Sequence, residues 1–506
     1  MIKIGNLCII LMLLSPLFAC DATPKALTDT EEFSELTQDQ ELPGNFVIHV
    51  EPETKKIVKN PMMGWAIYCD AYNPDMQFWD KFDNISVSGS TYPVRASDYA
   101  SILYIRWPWS AFEKAEGEYA WNYDAFFRLL EKGAAERGLK LAFRIYVDSR
   151  DYSTCSTPDY VRAAGAKGSV GNTNKWSPYP DDPVFQEKYA KFLQAFASRY
   201  DDPDKVDFID GFGLGKWGEG HSIEWMDSKN YAKTFDWITN LYLSNFKNIQ
   251  LAINYHKEIG ETLLNRAFEK GYVLRHDAFG MGLYYGSFEK GIAATWFPRR
   301  PILAESGWWQ NGTTSWMNDP NGYKTWADVW KRTLQDALDA KANMLDLRNI
   351  SETKSWFETS FDQVLRFVSI GGYRLYPDRL SLPRIITGNS RITVSHRWNN
   401  AGVGVCPNNA IQWNQKYKVA FALLDKASKE VKKIFVDQNS DPSQWIMGTP
   451  VSYSFSFDIP NIANGNYLWA VAIVDTTKGN VKGINLSAKG NLTSTGWLPL
   501  FDVTVK

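Results

Sequence analysis

Three stretches decide the fold: LKLAFRIYV at residues 139–147, PVFQEKYAKFLQAF at 183–196 and VDFIDGFGL at 206–214. The first and third are short, apolar and rich in β-formers, as strands buried on both faces of a parallel sheet are. In the second, Phe185, Tyr189, Phe192, Leu193 and Phe196 recur at helical spacing and build one apolar face. Strand, helix, strand is the unit, and it repeats in both directions. Further apolar runs lie at Met63–Tyr68, Ile102–Trp107, Ile249–Tyr255, Ala278–Tyr285, Pro301–Ala304 and Met344–Leu347. Helical patterns occupy 122–137, 229–246, 325–341 and 356–370. Eight strands in such alternation predict an α/β fold, a (β/α)8 TIM barrel over residues 45–380. A doubly wound open sheet is the structural rival. No Gly-rich dinucleotide fingerprint or phosphate loop follows an early strand, which weakens nucleotide-binding versions of it.

Past residue 380 the helices stop. Arg391–Trp398, Tyr417–Leu424, Val431–Val436, Val451–Ile459, Tyr467–Val474 and Leu500–Val505 read as strands between polar turns. They predict a C-terminal all-β sandwich domain over residues 381–506.

The N-terminus reads as an address. In MIKIGNLCIILMLLSPLFAC, Lys3 precedes an apolar run from Leu7 to Leu14, too short to span a bilayer. Residues 1–19 are expected to be a signal peptide. Leu17-Phe18-Ala19-Cys20 resembles a bacterial lipobox, which implies cleavage before Cys20 and its lipidation. Residues 20–44, polar and acidic, are then a flexible tether. The expected location is the bacterial cell envelope, secreted and lipid-anchored, with display on the outer-membrane surface left open. Cys69, Cys155 and Cys406 remain in the mature chain; a Cys69–Cys155 bridge is open to test.

Composition excludes other classes. Lys and Arg total 55 and Asp and Glu 57, so no basic excess exists to neutralise phosphates, and nucleic acid is not an expected partner. The five histidines, His49, His221, His256, His276 and His396, lack metal-ligand spacing; neither a metal nor a cofactor is expected. Oligomeric state is not legible.

In a barrel, chemistry gathers at the carboxyl ends of the strands. Two glutamates stand there in aromatic, glycine-rich settings: Trp217-Gly218-Glu219-Gly220-His221 after strand four, and Ala304-Glu305-Ser306-Gly307-Trp308-Trp309 at strand seven. Tryptophan offers a sugar ring an apolar face, and a carboxyl beside it can stay protonated as a general acid. Two carboxyls with different tasks are what glycoside hydrolysis requires, about 5 Å apart for retention and roughly 6.5–9.5 Å for inversion.

Residues 104–121, YIRWPWSAFEKAEGEYAW, resemble the second-strand region of clan A glycoside hydrolases, especially β-galactosidase-like members. The resemblance continues in Thr157-Pro158-Asp159-Tyr160-Val161 and Asp182-Pro183-Val184-Phe185, and the tail around His396–Gly402 resembles the sandwich of barrel lipoproteins of unknown function. The resemblance implies that Glu219 is the acid/base, Glu305 the nucleophile, Arg106 its orienting cation and Tyr284 or Tyr285 its hydrogen-bond donor. Where the clan places asparagine before the acid/base, this sequence has Gly218; His221, Asn254 or His256 are candidates to replace that contact. Arg144, Trp109, Trp217, Trp308 and Trp309 are further candidates for binding carbohydrate. Arg144 with Asp148, and Asp346 with Arg348, read equally as ion pairs. The expected activity is a lipid-anchored glycoside hydrolase, retaining or inverting. The alternative is a glycan-binding lipoprotein on a barrel that no longer catalyses.

Overall fold

The computed structural model describes residues 44–149, 155–171, 174–309 and 316–506, and the backbone of Gln38–Leu42. The expectations for the signal peptide, Cys20 and most of the tether lie outside the described residues.

Eight parallel strands close into a barrel: β1 (Gly64–Cys69), β2 (Ala100–Pro108), β3 (Lys140–Tyr146), β4 (Val206–Asp210), β5 (Gln250–Asn254), β6 (Val273–Phe279), β7 (Ile302–Ser306) and β8 (Met344–Leu347). Helices pack around it, including Pro183–Tyr200, whose Asp182 caps the Phe185 amide and whose Pro183 fits the first turn. All eight strands overlap their predicted runs. The sixth overlaps least: the strand is Val273–Phe279, and beyond Phe279 the run expected at Ala278–Tyr285 is a turn. Gly280, at φ +87°, ends it, and its missing Cβ admits the Thr333 side chain.

Strand alternation sorts the side chains. Trp65, Ile67, Leu103, Ile105, Phe143 and Ile145 face outward into the helix layer. The inward series is apolar in the middle of the barrel and polar two residues later, on every strand. Ala66 leads to Tyr68, Tyr104 to Arg106, Ala142 to Arg144 and Phe208 to Asp210. Ala252 likewise leads to Asn254, Val273 to Arg275, Leu303 to Glu305 and Met344 to Asp346. The barrel is therefore a packed apolar plug with a polar ring at its carboxyl mouth.

The C-terminal β region is two sheets. One has the order Gln38–Leu42, Asn45–His49, Leu375–Pro383, Arg391–Asn400, Val451–Asp458. The other is built on Tyr417–Asp425, Gly465–Asp475 and Leu498–Val505. Their facing side chains, among them Trp398, Phe421, Trp469 and Val471, share a core with Met62 and Met63 at the barrel base. Two expectations are corrected here. Gln38–Leu42 and Asn45–His49, assigned to tether and barrel, are strands of this β region, and Leu375–Leu380, assigned to the barrel, is too. The reason is non-local pairing: Ile48 and Val47 are buried opposite Leu380 and Ser381, partners invisible to any short window. Cys69, Cys155 and Cys406 are all free thiols, so no Cys69–Cys155 bridge forms.

Candidate active site

The polar ring converges on one guanidinium. Arg144, fully buried at the end of β3, reaches both glutamates. Its Nη2 donates to Glu305 Oε2 at 2.9 Å, and its Nη1 stands 3.4 Å from Glu219 Oε1. The two terminal nitrogens of a single planar fork carry both contacts, so the facing carboxylate oxygens lie within about 9 Å of each other. Tyr68 of β1 places its hydroxyl against the same Nη2.

Glycine explains how Arg144 gets there. Gly218 adopts φ +75°, and a Cβ on it would stand 3.3 Å from Tyr146 Cβ and Gly213 Cα and 3.6 Å from Arg144 Cδ. A longer side chain at this position would compete with the arginine stem for the same space. Arg144 thus packs beside Gly218 together with Tyr146 and Gly213.

Glu305 is sealed in. Its Oε1 lies 3.4 Å from Nη1 of Arg275, a buried β6 residue whose Nε donates to Asp210 at 2.8 Å. Burial resists ionisation of Glu305, yet the guanidiniums of Arg144, Arg275 and Arg348 outweigh it and hold its carboxyl below the ordinary value. Two ring acids move the other way. Burial pushes Asp346 up to about 7 and Asp210 up to about 6, against the pull of Arg348 and Arg275 respectively.

Glu219 sits in the loop after β4 and is held from four sides. Arg106 Nη1 is 3.5 Å from Oε1 and His221 Nε2 is 3.3 Å from Oε2. Asn254 Nδ2 donates to the Glu219 carbonyl at 3.0 Å and pairs through Oδ1 with His276. Burial alone would lower the His221 pKa; the Glu219 carboxylate reverses this and raises it. The His256 ring lies 5.0 Å from that of His221 and burial lowers its pKa.

Several predicted residues fall elsewhere. Arg106 reaches Glu219 rather than Glu305. Tyr285 stacks on Phe279 and His276, and Tyr284 is 57% exposed; neither contacts Glu305, because both lie past the end of β6. Their expected place is taken by Arg275. Trp109 is buried under the barrel wall against Tyr189 and Phe192, with Nε1 bound to Glu113, so it lines no sugar site. Trp309 is buried and its amide donates to Glu352. Trp308 is 49% exposed beyond β7, and Trp217 is partly buried, its ring 5.8 Å from that of His221. Asp346 accepts the Ser306 amide and Arg348 donates to the Ser306 carbonyl, so together they clamp the residue after Glu305. Arg275 and Tyr68 were missed. The signal for Arg275 was a charged triplet, Arg275-His276-Asp277, set between Val273-Leu274 and Ala278-Phe279.

Neither a protein-family profile nor any curated protein matches this sequence. Solved structures that resemble it are glycoside hydrolases. Endo-glycoceramidase II from Rhodococcus sp. is 12% identical with TM-score 0.38, over 80% of this chain and 100% of that one. An exo-β-1,4-mannosidase from Opitutaceae bacterium strain TAV5 is 13% identical with TM-score 0.39, over 63% and 62%. A β-galactosidase from the psychrophilic Marinomonas ef1 is 9% identical with TM-score 0.40, over 60% and 59%.

Proposed function

We propose that the protein is a glycoside hydrolase acting on oligo- or polysaccharides, with Glu219 and Glu305 as its catalytic pair. The observation that carries this reading is the joint hold of Arg144 on two carboxylates from opposite sides of the barrel mouth. Glu305, kept ionised by guanidiniums, is the group suited to attack the anomeric carbon. Glu219, adjacent to the more exposed His221, is the group suited to deliver a proton. In the retaining form, the bond from the anomeric carbon to the leaving oxygen breaks. That oxygen takes the Glu219 proton, and a Glu305 oxygen bonds the sugar. Water, deprotonated by Glu219, then releases the sugar and frees Glu305. In the inverting form, Glu305 activates water directly. Trp308, Trp217, His221 and His256 face the same end of the barrel and are proposed to meet the substrate. We also propose that residues 1–19 direct secretion and that lipidated Cys20 anchors the protein to the cell envelope by way of the segment that follows it.

The test is turnover of a panel of aryl glycosides and natural oligosaccharides, with the product anomer deciding between retention and inversion. Glu305→Ala is expected to abolish turnover. Glu219→Ala is expected to depress natural substrates more than activated aryl ones, which need less protonation. Equal residual activity in both variants would refute the roles. One observation favours the second reading, glycan binding without catalysis: Glu305 is fully buried and both of its oxygens face guanidiniums. On that reading, calorimetry finds sugar binding retained in both glutamate variants and no product forms.

A further inference from the structure

A second polar cleft lies at the opposite end of the barrel, where strand starts meet the β region. It has a volume of about 130 Å3. The barrel contributes Lys140, Asp204 and Asp207; the β region contributes Lys416, Asp475, Lys478 and Lys482. Four ammonium groups thus face three carboxylates, and each carboxylate is already engaged. Asp204 pairs with Lys478 across the junction. Asp207 accepts the Met62 amide at 2.8 Å. Asp475 accepts the amide and hydroxyl of Thr477 at 2.9 and 2.5 Å.

That leaves donors in excess. Lys416 is only 9% exposed, and its sole ion pair among the described residues is Asp475 at 3.6 Å. Its ammonium stands over the Trp413 and Tyr417 rings, at 5.4 and 4.9 Å, which fixes it at the cleft wall. Lys140 spends one of its three N–H groups on the Pro203 carbonyl at 2.7 Å, and Lys482 one on Asn485. Burial pulls the Lys416 pKa below the ordinary value; Asp475 resists this, while Lys140 and Lys478 add to it by repulsion. Asp207 offsets part of the charge on Lys140 and Lys416, yet one positive charge stays in excess within a shared, partly buried cavity, where an anion is stabilised.

We propose that this cleft is a binding site for a tetrahedral oxyanion, phosphate or sulfate, held between Lys140 of the barrel and Lys416 of the β region. The ion bridges the two parts of the molecule by charge-assisted hydrogen bonds, each stronger than its neutral counterpart. The site is separate from the glutamates and independent of any glycosidase activity.

The test is calorimetric titration of the whole protein with sodium phosphate and with sodium sulfate, in chloride buffer of matched ionic strength. Saturable one-to-one binding is expected at millimolar concentration or below. Lys140→Gln and Lys416→Met should each weaken it by about tenfold or more, the size of one lost charge-assisted bond. Circular dichroism checks that the variants fold, and Lys140→Gln, at the more open wall, serves if Lys416→Met does not. Glycerol phosphate in the same titration separates sources: tighter binding of the ester assigns the site to an esterified headgroup or glycan, tighter binding of the inorganic ion to free oxyanion. No saturable heat in the wild type overturns the proposal. So does thermal stabilisation by sulfate that is equal in wild type and variants, which is the general salting effect.

Discussion

Replacing Arg144 with methionine removes the one side chain among the described residues that reaches both glutamates, while keeping an apolar stem beside Gly218. Glu305 then keeps one guanidinium in contact, Arg275 at 3.4 Å, and the more distant Arg348, in a position with no solvent exposure. Stripping one partner from a buried ion pair costs about 3–5 kcal/mol, because the remaining charge has lost its compensation. Arg144→Met is expected to lose that much at pH 7, measured by urea unfolding followed through the 21 tryptophans. The informative variant is the double one. Glu305→Gln removes the stranded charge, so Arg144→Met with Glu305→Gln should recover about 2 kcal/mol or more of the loss, a coupling of the size expected for neighbours in one network. The pH dependence has a definite sign. Glu305 has a folded pKa below its ordinary 4.5, so its contribution is present above that value and lost as pH falls through the folded one. Arg144→Met should shrink that acid limb, leaving what Arg275 and Arg348 supply. Strict additivity of the two single substitutions, with an unchanged acid limb, would refute the idea that Arg144 is the common counter-ion.

Asp346 behaves oppositely. Its folded pKa of about 7 lies above the ordinary 3.8, so its contribution is full below 3.8 and lost as pH rises towards 7. Asp346→Asn keeps the acceptor for Ser306 and should flatten that fall, gaining up to about 4 kcal/mol at pH 8 in urea unfolding; an unchanged pH slope would contradict it. Gly218→Ala places a Cβ at φ +75° within 3.3 Å of two carbons and should cost about 1–3 kcal/mol, read as a lowered unfolding midpoint. A chain lacking residues 38–49 uncovers the pairing edge of Leu375–Pro383 and loses buried Val47 and Ile48; a loss of about 3–6 kcal/mol is expected in the same assay.

The barrel was legible because parallel strands buried on both faces are short apolar runs, and the intervening helices carry a different period. The pair of glutamates was legible because each follows or ends such a run beside glycine and tryptophan. What surrounds them was not. Arg275 carries charge in the interior of β6, and charge within a strand breaks the very signal used to find strands. Trp109 illustrates the converse: an aromatic next to a strand end reads as a ligand platform until the helix Pro183–Tyr200 is seen to cover it. The role of Gly218 could not be read from its own neighbours in sequence, since it packs against Tyr146 and Arg144, 72 and 74 positions earlier.

The sheet that holds Asn45–His49 beside Leu375–Pro383 makes the entire barrel an insertion between two adjacent strands. The two strands are separated by roughly 330 residues of chain, so their pairing is a contact of very high sequence separation and correspondingly slow to form. Until then the sheet partner of Asn45–His49 among the described residues is Gln38–Leu42, and the opposite edge stays open. The pairing with Leu375–Pro383 joins the two ends of the insertion, so it is expected late in folding, and until it forms the open edge at Asn45–His49 is available to other chains.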